Sequence, residues 1–253
     1  MAYDLQKAGL WKRTAAWLFD SILICVLVVG IAFVLSAVLG YDRYSDAVSN
    51  TYDRIETQYG VSFDATEADY AAFTEAQREN YDAAYEALTT DEKAMYAYNM
   101  VVNLTMLISS FSILLAIGAL EFAVPLILKD GRTLGKKIFG LCLVRTDCVR
   151  ISTVQLFVRA ILGKFAVETM IPVFLVLMLF WGITGLPGTV LILGLLLAEV
   201  LCVLLTRKNS ALHDLLAGTA VADYGSQMIF DSAEALVEYQ KKIHAERAAR
   251  QEY

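Results

Sequence analysis

Arg13 and Asp20 stand seven residues apart at the start of a long apolar stretch, AGLWKRTAAWLFDSILICVLVVGIAFVLSAVLG, residues 8–40. Seven residues make just under two helical turns, so the two side chains share a face but lie about 10 Å apart along the axis. That is too far for them to bond each other. Asp20 sits inside the apolar run, where an ionised carboxylate costs about 2.5–3.5 kcal/mol on insertion scales. Glu121, Glu168 and Glu199 fall in or beside later apolar runs. Acids at membrane depth usually face a bundle interior and mark ion or proton paths. A desolvated carboxylate can hold a proton or a sodium ion but not both, which is the core of an exchange mechanism. Sodium is a hard cation that prefers oxygen, and Ser21 and Asn103 could add ligands. Asp20 is the leading ion-coupling candidate, with Glu121 and Glu199 as relay acids. A structural reading stands beside this one. Asp20 neutralised by Arg159, Lys164 or another base would hold helices together as a hydrogen-bonded pair. Arg13 and Asp214 fall at the same boundary and would clamp the first span to the closing segment.

Other chemistries find less support. His213 stands beside Asp214, but a lone histidine more often titrates or packs than binds metal, and no third ligand is in view, so no metal site is expected. Cys25, Cys142, Cys148 and Cys202 are scattered and give neither a disulfide framework nor zinc spacing. Gly131-Arg-Thr-Leu-Gly135-Lys136 superficially matches a phosphate-binding loop. That motif needs four residues between its glycines and a Ser or Thr after the lysine; here there are three, and Lys137 follows. With no nucleophile–base constellation and no metal cluster, the chain is not expected to be an enzyme or to carry a cofactor. A net charge of −6 is no nucleic-acid signature.

The elements that must position these residues are membrane helices. The chain of 253 residues is 57% hydrophobic, above the roughly 45–50% of soluble domains, and the excess is gathered into runs at about 15–40, 101–128, 163–186 and 188–205. A spanning helix needs about 20 apolar residues, so four spans are expected and the first run is too long for a cleaved signal. Even parity puts both termini on one side. The 129–164 segment carries Lys129, Arg132, Lys136, Lys137, Arg145, Arg150, Arg159 and Lys164 against Asp130 and Asp147, whereas loop 41–98 has four basic residues against thirteen acids. Lysine and arginine gather in cytoplasmic loops. The termini and the 129–164 loop are therefore expected inside, and 41–99 outside.

Within 41–99, the spacings Asp64–Glu67 and Thr89–Glu92 suggest capping boxes. Tyr70, Phe73, Tyr81, Ala84, Tyr85 and Leu88 recur at helical steps. A small helical hairpin follows, its aromatic stripe read as packing. Pro125 can kink the second span, and a bend is expected near Pro172. Residues 138–145 suggest a short hairpin at the membrane surface. Ser152–Gln155 is a third capping box opening the helix that becomes the third span. Gly182, Gly185, Pro187 and Gly188 make an outer turn. The tail helix is expected to be solvated. The organisation is thus an N-terminal segment and first span (1–40), an extracytoplasmic helical insertion (41–99), a membrane core (100–224) and a charged cytoplasmic tail (225–253). The fold class is an all-α membrane protein with a short interfacial segment between helices 2 and 3.

Three pieces carry a resemblance. AGLWKRTAAWLFDSIL, with Arg13 and Asp20, is similar to the opening of the RDD family of small membrane proteins, named for one arginine and two aspartates. GRTLGKKIFGLCLV resembles that family's loop after the second span, and ALHDLLAGTAV its closing element, which makes Asp214 the second aspartate. The long 41–99 loop and the tail lie outside the family pattern, and the third span matches loosely, so Glu168 takes no role from it. The resemblance implies a multi-pass protein of the cell membrane that exchanges sodium, lithium or potassium for protons. Four spans are few for alternating access around a midplane site, so a homo-oligomer is expected. Its partners would be the lipid bilayer and the transported Na+ and H+. The rival class is a non-transporting scaffold or accessory protein that holds partners through its outer insertion and its tail.

Overall fold

A computed structural model describes residues 5–128, 130–180, 182, 185–206 and 208–251. Four helices are long and apolar enough to cross a membrane: Leu10–Leu39, Glu92–Ile127, Thr153–Leu179 and Gly185–Leu205. The expectation of an all-α protein with four spans is met. Lys129 of the basic loop, Trp181 of the third apolar run, residues 183 and 184 of the expected outer turn, Arg207 after the fourth span, and the last two residues of the tail lie outside the described residues.

The chain divides into two compact units, one made of residues 29–112 and the other of 1–28 with 113–253. In the 29–112 unit, helices Tyr41–Tyr59, Glu67–Ala72 and Glu75–Thr90 precede the start of the second span. Ile55, Ala84, Leu88 and Ala94 are buried together, flanked by Tyr52, Tyr59, Val61 and Phe63. Tyr70, Phe73, Tyr81 and Phe63 meet edge to face or tilted, so the aromatic stripe is packing, while Tyr85 points outward at 57% exposure. The caps fall differently from the sequence reading. Thr66, not Asp64, caps Glu67–Ala72 in a reciprocal box with Asp69. Asp91, not Thr89, receives the free amides of Lys93 and Ala94 at the start of the second span. Thr89 instead bonds back to the Tyr85 carbonyl. Three-residue spacing nominates several overlapping boxes, and the one that forms is set by where the preceding turn ends. Thr74 and Gln77 form a box that the spacing reading passed over.

In the other unit, the expected local hairpin at 138–145 is replaced by a longer-range pairing. Strand β1 (Leu141–Arg145) pairs antiparallel with β2 (Thr219–Asp223), Leu141 opposite Asp223 and Arg145 opposite Thr219. Only a brief return, with Val144 bridged to Arg150, is local. Both strands are buried except at their last residue, and a run buried on both faces needs cover that a surface hairpin lacks. Ala8, Ala16, Leu141, Leu143, Leu156 and Val221 form the core beneath. The Ser152–Gln155 capping box is present as expected. Cys142 and Cys148 are buried. Burial pushes the Cys142 thiol up to about 11, which keeps it inert. The tail helix, Ala233–Gln251, is mostly exposed but not wholly solvated: Leu236 and Tyr239 pack on the cluster of Cys148, Val149 and Phe230.

The second and third spans depart from α-helix at Gly118–Ala123 and Val158–Met170, where the backbone takes the wider π form. Each stretch ends two residues before a proline, Pro125 and Pro172. A proline has no N–H for the carbonyl four residues earlier. Those carbonyls belong to Glu121 and Glu168. Slippage to i→i+5 bonding ahead of the proline is the local answer, and it puts a wide turn at each of these two acids.

Candidate functional site

Asp20 is 5% exposed and is gripped by the loop that follows the second span. Its Oδ1 accepts the Gly135 amide at 2.8 Å and its Oδ2 accepts the Thr133 hydroxyl at 2.5 Å. Thr133 caps the short helix Leu134–Ile138, so the Gly135 amide is one of the N–H groups left free at a helix start. The glycine-rich loop thus does receive an anion at its free amides, and the anion is the protein's own carboxylate. Gly135 is required by closeness: a Cβ there would lie 2.4 Å from the Ala16 carbonyl oxygen and 2.9 Å from the Asp20 carboxyl. The base near Asp20 is Lys136, at 3.8 Å. Arg159 and Lys164, the partners nominated from sequence, serve Glu121 instead.

Glu121 is 1% exposed. Lys164 donates to its Oε1, Arg159 Nη1 to its Oε2 at 3.2 Å, and Lys136 Nζ lies at 4.0 Å. On an α-helix Arg159 and Lys164, five residues apart, would diverge by about 140°. The wide turns of Val158–Met170 close that step to roughly one turn, which lets both bases reach one acid. Lys136 is buried, and burial lowers its pKa despite the pull of Glu121 and Asp20.

Asp214, on the closing helix Leu212–Ala217, is also 1% exposed. Its Oδ1 accepts Arg159 Nε at 2.8 Å and the Thr219 hydroxyl at 3.2 Å. Its Oδ2 has no hydrogen-bond partner and faces Arg13 Nη2 at 4.0 Å. Burial pushes the carboxyl up, but the guanidinium of Arg159, with Lys136 beside it, outweighs burial and holds Asp214 well below the usual carboxylate range. The clamp expected between Arg13 and Asp214 is therefore made chiefly by Arg159, with Arg13 at ion-pair range behind it.

The remaining acids, Glu168 and the relay candidate Glu199, meet at His213, a partner that sequence reasoning did not give them. Glu168 receives the His213 backbone amide at 2.6 Å and lies 2.7 and 2.8 Å from His213 Nδ1. His213 Nε2 faces Arg159 Nη2 at 2.8 Å. Since the guanidinium only donates, Nε2 accepts and Nδ1 carries the ring proton towards Glu168. The Glu199 Oε2 accepts the Leu212 amide at 3.3 Å. One donor atom from each of Glu168, Glu199 and His213 falls within 4.8 Å of the others. His213 thus has two carboxylate neighbours, where the sequence offered none. The closing helix sits tight against the third span: a Cβ at Gly163 would lie 2.6 Å from His213 Cβ. The sequence signal was the pair of glutamates near the inner ends of consecutive spans, but pairing them with His213 required knowing where the closing helix docks. Of the proposed sodium ligands, Ser21 is half-buried, and Asn103 is exposed and belongs to the 29–112 unit.

Arg13, Asp20 and Asp214 therefore converge on one joint with Glu121, Lys136, Arg159 and Lys164. The model of the RDD family matches residues 7–218. The chain belongs to the RDD family. It is a multi-pass membrane protein of that family, and the match runs from the first aspartate's helix through the closing helix and spans the 41–99 insertion. No curated protein and no solved structure matches the chain. The two aspartates sit in this RDD chain as parts of a buried hydrogen-bonded network, with the arginine at ion-pair range of the second.

Proposed function

We propose that this RDD protein exchanges a monovalent cation for a proton across the cell membrane, with Glu199 as the coupling acid and Glu168 and His213 beside it. The observation that carries the reading is the contrast in partners. Asp20 and Glu121 have donors and bases on both carboxylate oxygens, whereas among the described residues Glu199 accepts one backbone amide and faces no base within ion-pair distance. Its neighbour Glu168 already holds the His213 N–H. Neutralising the second carboxylate of this pair falls to a proton or to a cation, and that choice is what an exchanger needs. Asp20, the acid singled out by sequence, becomes a positioning residue for the loop. The termini and the basic loop face the cytoplasm, the chain acts as a homo-oligomer, and it performs no enzymatic reaction.

Purified protein in liposomes should dissipate a pH gradient when sodium, lithium or potassium is added, and Glu199→Gln should stop this without loss of folded protein. A wild type that moves no monovalent cation would end the exchange reading. The scaffold reading would then stand, favoured by the fully bonded joint around Asp20 and Glu121.

A further inference from the structure

We propose that Glu168, Glu199 and His213 form a binding site for a borderline divalent metal ion of the Zn2+ type. The inference shares residues with the exchange reading but does not rest on it, because binding needs no transport. Three observations support it. First, the donors come from three separate elements, the third span, the fourth span and the closing helix, and their ligand atoms lie within 4.8 Å of one another. Ligands about 2.0–2.2 Å from a zinc ion sit roughly 3–4 Å apart, so closure asks only for small carboxylate movements. Second, the donor set includes an imidazole nitrogen, which suits zinc, copper or nickel, whereas sodium and magnesium prefer oxygen alone.

Third, the outer partner of such a ligand is already in place. A metal-ligating histidine almost always donates its other N–H to a carboxylate, carbonyl or water. His213 Nε2 lies 3.6 Å from Asp214 Oδ1, and that carboxylate is fixed by Arg159 Nε and the Thr219 hydroxyl. With a metal on Nδ1, the ring proton moves to Nε2 and turns to Asp214. The planar guanidinium is held by its Nε bond to Asp214 and its Nη1 bond to Glu121, so it is the imidazole that turns away from Arg159 Nη2 and ends that contact. No proton is gained or lost by the ring in this switch of tautomer. Three protein ligands leave a fourth position open, as in catalytic rather than structural zinc sites. The bound ion would staple the closing helix to the ends of the third and fourth spans.

The test is equilibrium dialysis of the chelator-treated, full-length protein in detergent micelles against Zn2+, with metal content measured per chain. One Zn2+ per chain is expected, undisturbed by a large excess of Na+. Glu199→Gln and Glu168→Gln should each weaken binding by more than about tenfold, the smallest loss usual even for an outer partner. His244→Ala, on the exposed face of the tail helix, should change nothing. A thermal scan run on the same samples confirms that each variant is folded. Substoichiometric metal in the wild type, or equal affinity in folded Glu199→Gln, would overturn the proposal. The two readings separate cleanly: liposomes that move no cation while the protein still binds zinc remove only the exchange reading, and exchange without zinc binding removes only this one.

Discussion

Two groups of acids in the same unit adjoin at His213 and Asp214 and are treated in opposite ways. Around Asp20, Glu121 and Asp214, bases and hydroxyls close on nearly every carboxylate oxygen. Around Glu168 and Glu199, two carboxylates face one imidazole and two backbone amides. The first arrangement resists change, because each charge is the reason its neighbour can be buried. The second has room for an added positive charge. Depth in an apolar run is therefore a poor guide to how well an acid is compensated: Glu121, deep in its run, has the most basic partners.

The joint should break most severely at its hub. Arg159→Met leaves Asp214 and Glu121 buried without their shared guanidinium, and removing one partner of a buried pair costs about 3–5 kcal/mol. Thermal unfolding in micelles should show this variant to be the least stable of the set; a near-neutral effect would mean the network is not holding the fold. Gly135→Ala drives a methyl into the Ala16 carbonyl and the Asp20 carboxyl, and overpacking of this kind costs about 1–3 kcal/mol. The same unfolding assay should rank it below Arg159→Met but clearly under wild type.

The pH response sharpens the comparison further. The carboxyl of Asp214 is held below its unfolded value of about 3.9, so its stabilisation is complete above about pH 4 and is lost as pH falls through the folded value. Stability measured between pH 6 and 3 should fall only at the acid end, and Asp214→Asn should flatten that limb while lowering stability at neutral pH. The smallest effect belongs to the 29–112 unit, which has no part in either acid group. Thr66→Ala removes a cap bond and should cost about 0.5–2 kcal/mol, seen as faster amide exchange in Glu67–Ala72, whereas Asp64→Ala should leave that helix unchanged.

Much of the fold was legible in the chain. Run length gave four spans, and Ser152–Gln155 gave the start of the third helix, because both signals depend on neighbours in sequence. The β1–β2 pairing joins residues almost eighty apart, and neither strand reads as a strand from its own alternation. The joint was half legible. Arg13, Asp20 and Asp214 could be named from their motifs, but their partners could not. Arg159 and Lys164 look divergent at α-helical spacing and converge only on wide turns, and the prolines that accompany those turns read from sequence merely as kinks. Glu199 could be named; its meeting with His213 depends on the docking of a six-residue helix against Gly163, which no local pattern announces.

The central claim is that exchange runs through Glu199 and not through Asp20. The direct measurement is sodium-driven proton flux in liposomes for Asp20→Asn and Glu199→Gln, each normalised to folded protein. The account predicts flux at Glu199→Gln reduced to the empty-liposome level, with the surviving folded fraction of Asp20→Asn still exchanging. Flux lost in folded Asp20→Asn and kept in Glu199→Gln would contradict it.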